Sequence, residues 1–93
     1  MARGLEPNVA CDQRYMLAAY AHTAWSRWMQ YVFSKSTIKA DGTVVIPAAL
    51  AARWRRQTCT LFEYLSTAEQ ASDLREADEI LRLLAMVEEA NAD

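Results

Sequence analysis

YMLAAYAHTAWSRWMQYVF, residues 15–33, holds most of the aromatic side chains of this 93-residue chain and its only histidine. Thr23, Ser26, Arg27, Gln30 and Ser34 recur at intervals of three, one, three and four, which at about 100° per residue gathers them onto one stripe. That stripe is predicted to face water. The opposite side carries Leu17, Ala18, Ala21, Trp25, Trp28 and Val32, a band too wide to leave to solvent and too short to span a membrane. The spacing therefore predicts a helix whose apolar side meets other helices.

N-terminal to it, residues 1–12 contain Gly4 and Pro7 and show no sustained periodicity, so they read as an arm with Asp12 as the N-cap of a helix over about 13–34. The helix is predicted to end at Ser34-Lys35-Ser36-Thr37, where hydroxyls and a cation replace the apolar band. Strand chemistry follows over about 37–46. Thr37-Ile38-Lys39 and Thr43-Val44-Val45-Ile46 flank Asp41-Gly42, a strong hairpin signal because glycine takes positive φ without steric cost. A two-stranded ribbon needs support, so it should lie on the helices. Pro47 suits the first turn of a helix over about 47–57, with Leu50 and Trp54 four apart on one face and Arg53, Arg55 and Arg56 around the remainder. The apolar connection Thr58 to Leu65 is expected to plug the core. Ser66-Thr67-Ala68-Glu69 is a capping box, and Leu74, Ala77, Ile80, Leu81, Leu84 and Val87 then keep helical spacing over about 67–89.

The fold class read from this order is mainly α: a compact three-helix domain, residues 13–91, with a small β-hairpin inserted between helices 1 and 2. A chain of this length buries roughly 60 to 65% of its unfolded surface, enough for one core. Its 53% hydrophobic and 24% charged residues exclude disordered composition, and a net charge of −2 supplies no general attraction to nucleic acid. Cys11 and Cys59 stand far apart, and the N-terminus lacks the apolar run of a secretory signal, which together point to reduced thiols in the cytoplasm. A disulfide between them stays open as the lesser reading. No metal site and no cofactor are expected, because one histidine and two separate cysteines match no ligand spacing.

Catalysis is not expected either. Asp73, Glu76, Asp78 and Glu79 lie on the outer turns of the last helix with no nucleophile placed beside them, and no glycine-rich phosphate loop is present. Binding chemistry is better represented. His22, Trp25, Trp28 and Tyr31, near the arginines of the second helix, make the pairing of stacking surface and cation that holds a base or other flat anion. Trp25 and Trp28 lie well inside the apolar band, so packing and stacking both remain open for them. Arg53 and Arg56, three apart on one side of Trp54, could clamp a phosphate or carboxylate or form an ordinary solvated face.

The order Leu17-Ala18, His22, Trp25, then Tyr64-Leu65-Ser66, Glu69-Gln70, Ser72-Asp73 and Ala77, resembles the ryanodine-receptor repeat domain. That family carries Leu-Ala, His and Trp on its first helix and opens a later one with Tyr-x-x-Leu-Pro-x-x-Glu-Lys-x-x-Asp-Arg. The Ala24-Trp25-Ser26-Arg27-Trp28-Met29 and Arg53-Trp54-Arg55-Arg56-Gln57 segments are similar to those of small viral members. The chain departs from the family between these ends, where the hairpin and the Trp54 helix stand, and at Leu74, where the family has arginine. The resemblance implies an adenine-nucleotide-like ligand stacked on a tryptophan, which carries over to His22 and Trp25. A shorter segment, Asp41 to Leu50, is similar to the start of swapped-hairpin DNA-binding domains of antitoxins and transition-state regulators, but lacks their second strand pair.

Two expectations follow. The first is a non-catalytic phage or prophage protein, in the host cytoplasm, holding a small anionic, nucleotide-like ligand between helices 1 and 2 through His22, Trp25, Trp54, Arg53 and Arg56. The second is a protein–protein interaction factor, such as a viral inhibitor of a host enzyme or defence complex. The wide apolar band and three tryptophans leave room for a homodimer in either case. Neither a membrane nor nucleic acid is an expected partner.

Overall fold

A computed structural model of the chain describes residues 9–90. Helix α1 runs over Val9–Ser34, strands β1 (Thr37–Ile38) and β2 (Val44–Val45) form the hairpin, α2 spans Ala48–Thr58, a single 3-10 turn covers Phe62–Tyr64, and α3 spans Thr67–Ala90. Three helices with a two-stranded hairpin between the first two is the expected order. The first helix starts earlier than predicted, because no glycine or proline interrupts the chain between Val9 and Gln13. Asp12 therefore lies within α1 and not at its cap; the rest of the predicted arm, residues 1–8, lies outside the described residues.

The end of α1 is made by its own hydroxyls. Ser34 Oγ donates to the Tyr31 carbonyl at 2.7 Å and Ser36 Oγ to that of Val32 at 2.7 Å, second donors to carbonyls that also accept from the Lys35 N–H. In the hairpin, Thr37 pairs with Val45 and Ile38 with Val44. Lys39 N–H donates to the Thr43 carbonyl and Gly42 N–H to that of Lys39, so Ala40, Asp41 and Gly42 form a three-residue loop with Gly42 at φ +92°. The Thr43 N–H donates to Asp41 at 2.9 Å and holds that carboxyl below its ordinary value.

Pro47 sits just outside α2, where its carbonyl accepts the first helical bond from Ala51. Its fixed φ and missing N–H cost nothing at that position. Thr58 and Thr60 hydroxyls close the far end on the carbonyls of Arg55 and Arg56. At the start of α3 the capping box is formed as read: Glu69 N–H donates to Ser66 Oγ and Ser66 N–H to Glu69 Oε1, each at 3.2 Å.

The connection before α3 departs from expectation. Its 3-10 turn is fixed by Tyr64 and Leu65 N–H groups on the Leu61 and Phe62 carbonyls and by Gln70 Nε2 on Phe62. Those local bonds leave Leu61 69% and Tyr64 71% exposed, so the segment is an apolar knuckle and not a core plug.

Helices α1 and α3 pack antiparallel, with Arg27 against Glu76 at 3.3 Å and Tyr20 and Leu83 lining one cleft nearer the other end. The Tyr20 hydroxyl has no hydrogen-bond partner among the described residues. Val32 and Val87 are the buried hydrophobic residues among those described. The molecule is a plate, 53 × 37 × 17 Å, with a radius of gyration of 18.4 Å against about 12 Å for a chain of this length wrapped around one core. No described helix is long and apolar enough to cross a membrane.

Candidate binding groove

Where the second half of α1 passes α2 and the first turns of α3, three aromatic rings meet. Trp28 and Tyr31 are three apart on α1 and stack at 5.6 Å, an i, i+3 pairing that helical geometry brings about without tertiary help. Trp54, one of the two apolar residues predicted to share a face of α2, arrives edge-on against Trp28 at 5.4 Å and 66°, the arrangement favoured by the ring quadrupoles. It also lies 6.3 Å from Tyr31, while Lys35 Nζ stands 5.7 Å over the Tyr31 ring.

These rings line an open groove of about 690 Å³. Its remaining walls include Arg27 from α1, Arg53 and Gln57 from α2, and Glu69, Asp73 and Glu76 from α3. The volume is that of a small-ligand site. Its electrostatics are mixed. Arg27 is paired with Glu76, and Arg56 with Glu69 at 2.6 Å, whereas Arg53 and Asp73 make no ion pair among the described residues. The Arg56 guanidinium, followed by the Ser66 N–H, holds the Glu69 carboxyl below its ordinary value, so the capping box and the end of α2 share one anion.

The five residues singled out in the sequence divide. Trp54 and Arg53 line the groove. Arg56 is engaged by Glu69, so the predicted Arg53–Arg56 clamp is not formed; the carboxylate that completes the α3 cap claims one of its two arms. His22 and Trp25 stack on each other at 5.9 Å and 27°, but lie outside the groove lining. His22 Nε2 comes within 3.5 Å of Ser26 Oγ, and Trp25 is 58% exposed, so that ring is on the surface and not in the core.

The site also extends beyond α1 and α2. Trp28 and Tyr31 supply its stacking surface, and α3 supplies an acidic wall through Asp73 and Glu76 that sequence reading did not place. Spacing alone marks 73 and 76 as neighbours on one helix, but only the antiparallel crossing turns that pair toward the aromatic rings. Cys59 is a free, exposed thiol, and no group of histidine, cysteine and carboxylate side chains capable of holding a metal occurs among the described residues. No family model matches the chain, and no curated protein or solved structure shows significant similarity to it.

Proposed function

We propose that this chain is a non-catalytic binding protein that takes a flat, nucleotide-like ligand in the groove formed by Trp28, Tyr31 and Trp54. The observation that carries the reading is the convergence of those three rings from two helices on one concave surface, half-exposed and open to a stacking partner. Arg53 is the cation in the lining left without a carboxylate, and it sets where the anionic end of such a ligand would lie. Asp73 opposes negative charge on the α3 side, where Glu76 is compensated by Arg27, favouring a ligand of low charge with its phosphate turned toward α2. The resemblance to the ryanodine-receptor repeat supports an adenine-type ring, although here the ring would rest on Trp28 and Trp54 in place of Trp25.

Thermal unfolding against a panel of mono-, di- and cyclic nucleotides tests this. A ligand at a hundred times its dissociation constant adds about 2.7 kcal/mol to the folded state. The expected result is a shift for one nucleotide class, with quenching of tryptophan emission, that Trp54→Leu and Arg53→Gln each remove. No shift across the panel would refute the groove as a nucleotide site.

A second reading, a docking factor acting on a host enzyme or defence complex, is favoured by the exposed Leu61–Tyr64 knuckle, which projects apolar and aromatic groups as docking anchors do. In that case no nucleotide shifts the unfolding temperature, and Tyr64→Ala abolishes inhibition of the target.

A further inference from the structure

Two charges in the lining of the aromatic groove have no counterion, and they stand on different walls. Arg27 is paired with Glu76, and beside the groove Arg56 with Glu69, whereas Arg53 on α2 and Asp73 on α3 make no ion pair among the described residues. The neutral polar side chains of the lining, Gln57, Thr58 and Ser72, can each donate or accept a hydrogen bond and so adapt to any base. Arg53 can only donate, and the Asp73 carboxylate can only accept. Discrimination between ligands therefore falls to these two.

We infer, on the reading of the groove as a nucleotide site, that Asp73 makes it select guanine among the nucleobases. With its phosphate toward Arg53, a purine nucleotide stacked on Trp28 and Trp54 turns the edge opposite its sugar to the α3 wall, where Asp73 stands. A carboxylate has two oxygens side by side and no proton to give, so it fits an edge that carries two adjacent N–H donors. Guanine carries that pair, at N1 and at the N2 amine. Adenine, the ring that the family resemblance favours, sets an acceptor at N1 beside its N6 amine, and cytosine does the same at N3 and N4. Uracil has one N–H between two carbonyls. Against any of these three a carboxylate oxygen faces a lone pair, and a polar site left with a mismatched partner rejects its ligand. Asp73 is also exposed, so a base reaches it without breaking an ion pair, as it would have to at Glu76 or Glu69.

The test is the affinity of the full chain for guanosine, inosine and adenosine monophosphates, read from quenching of tryptophan emission, with Asp73→Asn as the variant. The three share a ribose and one phosphate, so only the purine ring changes. The guanosine nucleotide is expected to bind about tenfold more tightly than the adenosine one, near the low end for a bidentate contact because the groove is open. Inosine monophosphate keeps N1–H but lacks the N2 amine, and is expected between them. Asp73→Asn preserves size and exchanges one acceptor for a donor, the pattern that pairs with adenine. It should weaken the guanosine nucleotide about tenfold and leave the adenosine one equal or tighter. Equal affinity of the wild type for both, a preference for adenine, or an Asp73→Asn variant that weakens all three alike would overturn guanine selection and leave the groove standing as a nucleotide site. Quenching by none of the three, with no response to the wider nucleotide panel, would overturn both.

Discussion

Two stretches of α3 have opposite fates. At its N-terminal turns, α3 joins α1 and α2 around Trp28, Tyr31 and Trp54, and the apolar groups there touch one another within the chain. Further along, Leu74 and Leu81 carry as strong a hydrophobic drive, yet the chain brings nothing over them. Periodicity states that a face is apolar; it does not state what covers it. A chain of this size has few elements to spend, and α2 with the hairpin occupies one end of the plate only.

The sharpest test of that contrast is a pair of truncations read by chemical unfolding. Trp54→Ala removes ring contacts to both Trp28 and Tyr31 and should cost about 2 kcal/mol, below the range for a fully enclosed tryptophan because the groove is open. Leu81→Ala should change stability by less than about 0.5 kcal/mol, as at other exposed positions. Equal costs would mean that both regions are covered within the chain.

A smaller effect probes what anchors the groove end. Ser66→Ala removes the hydroxyl that accepts the Glu69 N–H and should cost about 1 kcal/mol, measured by thermal unfolding. The smallest is a pH effect. The Glu69 carboxyl titrates below its ordinary value of 4.5 because it is anionic when bonded to Arg56 and to the Ser66 N–H. A group lowered in this way contributes stability that is present above the unfolded value and lost as pH falls through the folded one. Unfolding temperature should therefore drop on acidification below about pH 4.5, and Glu69→Gln should shrink that drop, leaving the contribution of other carboxylates. An unchanged acid profile would remove Glu69 from the link between α2 and α3.

Local chemistry was legible wherever neighbours in sequence are also neighbours in space. The Ser66–Glu69 box, the positive φ at Gly42, the proline before α2 and the hydroxyls that end α1 each involve groups within a few residues, so spacing alone specifies the partners. Trp54 was legible as a buried-side residue of α2 and Arg53 as its flanking cation. The start of α1 was misplaced for a related reason: its first turn carries residues without strong preference, and Asp12 has the chemistry of a cap without being at the boundary.

What spacing could not supply is partnership over distance. Arg53 and Arg56 share one side of a helical wheel, about 60° apart, and the approach of Glu69 from α3 makes one an engaged ion and leaves the other facing the groove. His22 and Trp25 share the aromatic character of Trp28 and Tyr31, and only the position of α2 separates the pair in the groove from the pair outside it. The 61–64 connection is apolar enough for a core, yet its short-range hydrogen bonds turn it outward. The amino-acid order by itself determined the three helices, the hairpin, their caps and the existence of apolar faces, because those follow from backbone geometry and contacts a few bonds away. Only the tertiary structure decided which faces met, since burial is a property of two surfaces at once and the second surface lies elsewhere in the chain.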